Sequence, residues 1–195
     1  RDPRRVRTGR RRRSIGSQRA LGFRRRSPDE LDAILVGLVD RVTRRLRDAE
    51  RSCRTVVVRY RFDDFSRATR SRTLPRATDR TDLVLDAVRR SVALDADRIR
   101  REGLTLIGLT LANLDDEAMQ LELPFTGPGG ALDGALDEIR HRFGTDAVTR
   151  TVLLHRDPGI TMPTLPDDRE LATEAARAAR VSRPPGGAPR PVRSV

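Results

Sequence analysis

The stretch SPDELDAILVGLVDRVTRRLRDAE, Ser27 to Glu50, constrains the fold more than any other part of this chain. Ser27 suits an N-cap, Pro28 the first helical position, and Glu30 completes a capping box. Leu31, Ile34, Leu35, Leu38, Val39, Val42 and Leu46 then recur at helical spacing, with Asp32, Asp40, Arg41 and Arg45 on other faces. The spacing predicts a helix over 27–50 with one apolar stripe. Such a helix needs an apolar surface of matching width, and the segments around it must supply one.

They read as strands. Residues 10–22, RRRRSIGSQRALG, form a basic extended segment ahead of the helix. After it, Thr55 to Phe62 alternates: Val56, Val58, Tyr60 and Phe62 share one face, and Val57, Arg59 and Arg61 the other. DDFS turns the chain. Ser66 to Thr78 is poor in apolar residues but rich in Thr and Arg, and Pro75 assigns it to an edge. Thr81 or Asp79 caps a second helix carrying Leu83, Val84, Ala87, Val88, Leu94 and Ile99, which stops at Gly103. Leu104 to Leu114, LTLIGLTLANL, is the fourth strand, although its apolar residues do not alternate cleanly. The order strand, helix, strand, strand, helix, strand defines an α+β fold of the split β-α-β kind (βαββαβ). It has four antiparallel strands with both helices on one face. The other face stays free to carry Arg59, Arg61, Arg70 and Arg72.

Charge suggests what that face is for. The 195 residues hold 40 basic side chains, all arginine, and a net charge of +12. Residues 1–26 hold twelve arginines against one aspartate, +11 of that total. Positive charge so concentrated attracts polyanions, although a solvated basic tail reads the same way over residues 1–9. Aromatics make up 3% of the chain. Base stacking on exposed sheet aromatics, the habit of RNA-recognition modules of this strand order, is therefore not expected. Arginine contacts to phosphates position a duplex without reading its sequence.

Other chemistries find little support. Cys53 stands alone, which excludes an internal disulfide and fits a reducing compartment; heading an apolar run, it reads as a buried structural thiol. His141 and His155 lack neighbours at metal-ligand spacing. No apolar run approaches the length of a membrane span, and no signal-peptide pattern opens the chain. The first residue is Arg1 rather than methionine, so the expectation is a piece of a longer protein. Beyond PGG at Pro128–Gly130, a helix is predicted from Ala131 to Phe143, with Leu132, Leu136, Ile139 and Phe143 along one side. A short, more helical than extended element follows at 146–154, and 167–180 reads as a small helix. Residues 181–195 have the composition of a disordered tail.

QLELPF, Gln120 to Phe125, is open to two readings. Its period of two continues an edge strand, while Pro124 and the following TGPGG suit a displayed peptide. Four segments taken in order decide the frame: SIGSQ at 14–18, SRTLPRAT at 71–78, LIGLTLANL at 106–114 and QLELPF at 120–125. Together they resemble the C-terminal part of Y-family translesion DNA polymerases, the bacterial polymerase IV branch above all. The match runs through about residues 4–125 and continues more loosely through ALDGALDEIRHRFGTDAV.

That resemblance implies a little-finger domain over 10–114, after a basic linker at 1–9. The clamp-binding peptide and linker fall at 115–130, and a helical extension at 131–180. It implies primer–template DNA as a partner, held through Arg12, Arg13, the backbone of Ser14-Ile15-Gly16-Ser17, Arg59, Arg61, Arg70, Arg72 and Thr73. It also implies a bacterial sliding clamp as partner, met by Gln120, Leu121, Leu123, Pro124 and Phe125. A buried Leu or Phe there contributes about 1.5–3 kcal/mol. A cytoplasmic, nucleoid-associated monomer is expected, with no membrane partner. The acidic palm motifs that hold two metal ions are not found: SPDE at 27–30 resembles one by letters, but it caps a helix. No cofactor is expected in this chain, and Mg2+ only in the parent polymerase. The alternatives are a stand-alone basic nucleic-acid-binding module, with QLELPF structural, and an interaction protein that competes for the clamp.

Overall fold

The computed structural model describes residues 12–115 and 129–156, all within one compact unit, Arg12–Pro163. In chain order the elements are β1 (Ser14–Ala20), α1 (Pro28–Asp48), β2 (Ser52–Phe62), β3 (Arg67–Thr78), α2 (Thr81–Leu94), α3 (Ala96–Glu102), β4 (Leu104–Asp115) and α4 (Gly129–Phe143). A single 3-10 turn follows at Thr151–Leu153. The strands form one sheet in the order β1-β4-β2-β3, and every neighbouring pair is antiparallel. Each helical crossover therefore leaps one strand: β4 lies between β1 and β2, and β2 lies between β3 and β4. This is the split β-α-β arrangement expected from the element order.

α1 starts as its sequence dictates. Ser27 Oγ accepts from the Glu30 N–H at 3.1 Å, and the Glu30 carboxylate accepts from the Ser27 N–H at 3.0 Å. The stripe is buried from Ile34 to Leu46, with Val39, Val42 and Leu46 fully enclosed. It lies on one face of the sheet, against Ile15, Val56, Val58, Tyr60, Phe62, Ile107, Leu109 and Leu111. The parity of β4, which its sequence leaves open, is thereby set: Ile107, Leu109 and Leu111 face the helices. Register agrees, with Val56 opposite Leu111, Val58 opposite Leu109 and Tyr60 opposite Ile107. Cys53 is fully buried in this core, and burial, with Asp79 nearby, pushes its thiol pKa up to about 12. It is a packing residue, protonated at physiological pH. Among the described residues no helix is long and apolar enough to cross a membrane.

Three details depart from the sequence reading. The second helix is not continuous. It breaks at Asp95 (φ −108°, ψ 9°), whose carboxylate turns toward β3, and resumes as α3 up to Gly103. At Gly103 φ is +73°, and a Cβ would run into the Asp63 carboxylate, so glycine is required. The element expected at 146–154 is reduced to the 3-10 turn. The third departure is in α4, which buries Asp133, Asp137 and Arg140 while Leu132, Ile139 and Phe143 stay exposed. The helix expected at 167–180 and the tail at 181–195 lie outside the described residues.

Ion pairs, not an apolar stripe, dock α4. Arg47 of α1 reaches Asp137 at 2.6 Å and Asp133 at 3.5 Å. Arg140 meets Asp40 at 2.9 Å, and Arg150 bridges Asp40 and Asp133 at 3.2 and 3.3 Å. Asp133 also accepts from the Thr81 N–H at 2.8 Å, which caps α2 from outside its own segment. Burial pulls the Arg47 guanidinium down, but Asp137, Asp133 and Asp79 push it further up, so its charge is secure. Removing one carboxylate from such a site strands buried charge. Asp133→Asn is expected to lower unfolding free energy by about 2 kcal/mol in urea titrations. A loss under about 0.5 kcal/mol, the size of an ordinary surface substitution, would show that the network is not structural.

Candidate nucleic-acid interface

The face of the sheet away from the helices is uncovered among the described residues. Alternation and register place on it Thr55, Val57, Arg59 and Arg61 from β2, and Arg67, Thr69, Ser71 and Thr73 from β3. β4 adds Leu106, Gly108, Thr110 and Ala112, and β1 adds Ser14, Gly16 and Gln18. The only aromatics within the described strands, Tyr60 and Phe62, are in the core on the other side. The open face thus offers guanidinium and hydroxyl donors without a stacking platform. Arg59 is exposed, while Arg61 donates to Thr105 Oγ1 at 2.9 Å and lies 5.7 Å from the Phe65 ring.

Arg70 and Arg72 do not share this face, contrary to the sequence reading. Arg70 is opposite Val58 and Arg72 opposite Val56, so both take core-face parity at the sheet edge. Arg70 grips Asp95 with two hydrogen bonds, 2.7 and 2.6 Å, at the break between α2 and α3. That pair lowers the Asp95 carboxyl pKa below the ordinary range and raises that of Arg70. Arg72 is half-buried, and its Nε has no hydrogen-bond partner. β3 lacks an apolar alternation, so the sequence carried no parity signal for it. Thr73, opposite Thr55, does keep the open side.

β1 is the other edge strand, and its backbone divides by parity. The Leu21 N–H donates to Thr105 O at 2.8 Å, so odd-numbered residues of β1 turn their polar groups toward β4. The Gly16 carbonyl instead accepts from Arg45 at 3.5 Å and points off the edge. In a strand the N–H of a residue points the same way as its carbonyl. The outward donors are therefore those of Ser14, Gly16 and Gln18. Ile15 and Ser17, expected to present N–H groups as well, turn inward, and the Ile15 side chain is in the core at 4% exposure. At Gly16 a Cβ would lie 3.0 Å from Leu109 O and from Thr110 Oγ1, so the close approach of the strands favours glycine.

A hollow of about 270 Å3 joins this edge to the open face, lined by Gly16, Ser17, Gln18, Arg45, Arg59, Gly108, Leu109 and Thr110. Two glycines make its floor low and two arginines stand at its sides. Around it the charges crowd. Burial, then Arg45, Arg19 and Arg44, press the Arg41 guanidinium pKa down; burial, then Arg44 and Arg12, do the same at Arg45. Mutual repulsion of this kind is relieved by a polyanion. The sequence reading placed Arg41 and Arg45 on helix faces away from the apolar stripe, with no role assigned. Their i, i+4 spacing was visible, but nothing in it showed that α1 brings them to β1. Arg12 is half-buried, its carbonyl accepting from Arg51, and Arg13 is exposed. The peptide Gln120, Leu121, Leu123, Pro124 and Phe125 lies outside the described residues.

The impB/mucB/samB family C-terminal domain matches residues 12–123. DNA polymerase IV 2 of Mesorhizobium japonicum is 37% identical over 163 residues, covering 76% of this chain and 39% of that protein. DNA polymerase IV of Streptococcus thermophilus is 34% identical over 119 residues, 60% of this chain and 32% of that protein. The chain thus spans well under half the length of these curated relatives. A solved complex of a beta-clamp processivity factor with the little finger domain of PolIV is also similar. There the identity is 23% and the TM-score 0.42, over 58% of this chain and 99% of that one.

Parity makes a test that composition cannot. Arg59→Ala is expected to weaken duplex-DNA binding by three- to tenfold and to flatten its log–log salt slope by about 0.9, the loss of one phosphate contact. Arg70→Ala is expected to leave that slope unchanged and to lower thermal stability, since it strands Asp95. Equal slope changes in both variants, measured by fluorescence anisotropy, would contradict the assignment of faces.

Proposed function

The chain belongs to the impB/mucB/samB family, as a little-finger-like domain of the DNA polymerase IV kind, and we propose that it grips primer–template DNA and docks on a sliding clamp for an error-prone lesion-bypass polymerase. The observation that supports DNA gripping most is the open sheet face running into the β1 edge. Arg59 and Arg61, the hydroxyls of β3 and the outward N–H groups of Ser14 and Gly16 all meet one surface. Arg12, Arg13 and Arg45 extend it. These donors suit phosphate oxygens of either strand, and none is placed to read a base edge in preference to another. A polymerase that passes damaged templates needs such a hold: affinity from the backbone, with indifference to the bases.

Clamp docking rests on the peptide. Gln120 supplies a hydrogen-bonding side chain, and Leu121, Leu123 and Phe125 supply apolar surface, with Pro124 limiting the conformations lost on binding. Its place between β4 and α4, after a domain of this fold, favours a docking role over a further strand. Nucleotide transfer belongs, in this reading, to the rest of the whole protein. Mg2+ is the ion expected there, and no site for it is assigned to the described residues of this chain. Among those described, no three His, Cys, Asp or Glu side chains group as metal ligands. Asp95, Asp133 and Asp137 are committed to arginines. No catalytic step is assigned to this chain, and its setting is a bacterial cytoplasm, near the nucleoid, as a monomer.

Binding to a bacterial sliding clamp tests the reading, with Gln120→Ala/Phe125→Ala as the comparison. The double variant is expected to lose affinity at least twentyfold while keeping its duplex affinity and its slope of about −0.9 per phosphate contact. Failure of the folded parent chain to bind clamp, with steep salt dependence on DNA intact, would favour a stand-alone nucleic-acid module. Shallow salt dependence with clamp binding intact would favour a clamp competitor.

A further inference from the structure

A second cavity lies in the helical layer, on the side of the sheet away from the open face. It has a volume of about 360 Å3 and is walled by Leu21, Leu31, Leu35, Val92, Ile99 and Leu104 from the β1–α1 connection, α1, α2, α3 and the start of β4. That volume falls within the range of sites that take a ligand group. Its lining is mainly apolar, and its rim is basic. Arg25 donates to the Arg100 and Arg101 carbonyls at 2.7 and 2.9 Å. Arg26 donates to Leu21 O at 2.7 Å, while its Nε is buried without an acceptor. The other two rim arginines already have carboxylate partners, Arg89 with Asp32 and Arg100 with Asp97. Carbonyl groups hold Arg25 and Arg26 in place, and Glu30, the carboxylate within electrostatic reach of Arg26, is already paired with Arg24 at 2.6 Å.

From this apolar hollow with a basic rim, we infer a docking site for an acidic peptide segment of a partner, which inserts a leucine or phenylalanine side chain and sets a neighbouring Asp or Glu against Arg25 and Arg26. A carboxylate brought to guanidinium groups that now meet only carbonyls gains charge-assisted hydrogen bonds. The occupant is a chain segment because an apolar hollow set beside several guanidinium groups suits an apolar side chain flanked by carboxylates. The site is separate from the DNA face and does not rest on the polymerase reading. A partner held here leaves the open face of the sheet accessible.

The probe is the synthetic peptide acetyl-Asp-Glu-Leu-Phe-Glu-amide, titrated into the 15N-labelled full chain and followed by amide shifts. Saturable shifts are expected at Leu31, Val92, Ile99 and Leu104, with those of Arg59 and Thr110 unmoved. A peptide with Asn and Gln for its acids, and one with Ser for Leu and Phe, are each expected to bind at least tenfold more weakly. Arg26→Gln is expected to weaken the parent peptide about fivefold. Ala96→Leu, which fills the hollow without touching the arginines, is expected to abolish binding while duplex affinity stays constant. Equal binding by the uncharged peptide, shifts confined to other surfaces, or none at millimolar peptide would overturn the inference. Octanoate binding as tightly as the peptide would assign the hollow to a small amphiphile and overturn it equally.

Discussion

The pairing of β2 with β4 decides which side of this sheet is which. With Val58 opposite Leu109 and Tyr60 opposite Ile107, both central strands turn their apolar residues to the helices. A slip of one residue would send Ile107, Leu109 and Leu111 to the open side and bring Gly108 and Thr110 beneath α1. The open face exists because this register holds. Its arginines, its hydroxyls and the low floor at Gly16 and Gly108 are what remains after the core has taken every second position. The edge strands inherit their parity from the same pair, which is how Arg70 and Arg72 come to point toward the helices without any apolar pattern of their own.

The clearest sequence signals were those tied to burial. α1 announced itself through a capping box and a seven-residue stripe, and β2 through strict alternation; both stand where the pattern put them. β4 did not, because Leu106 and Leu114, only half-buried, blur the alternation of Ile107, Leu109 and Leu111. β3 carried no parity at all, and arginine is equally at home on an open face or in an ion pair. The break at Asp95 was hidden for a related reason. The residue that interrupts the helix does so to meet Arg70, twenty-five positions away, and no local pattern records such a bond. Within the candidate interface, the β1 segment and Arg59 were legible. Arg41, Arg44 and Arg45 were not, since their role depends on how α1 lies across β1.

α4 shows the limit of periodicity in another way. Its apolar side chains have helical spacing, yet the side that meets α1 and α2 is the one bearing Asp133, Asp137 and Arg140. Buried charges bring directional demands: each must meet its counterpart at hydrogen-bond distance, so the helix has few acceptable positions. Oily contact tolerates sliding by fractions of a turn, and a lattice of six charged side chains does not. The docking of α4 is thus more specific than its modest contact with the domain suggests. Asp133 ties it to the first turn of α2, and through Thr81 to Thr43 within α1.

One geometric result of that attachment concerns the thirteen residues between Asp115 and Gly129. The elements on either side, β4 and α4, belong to one packed unit, so that stretch of sequence is covalently anchored at both ends. An extended chain advances about 3.5 Å per residue, so covalent length alone keeps its central residues within roughly 25 Å of an anchorage. A partner engaged there is tied to the sheet by two covalent attachments rather than one.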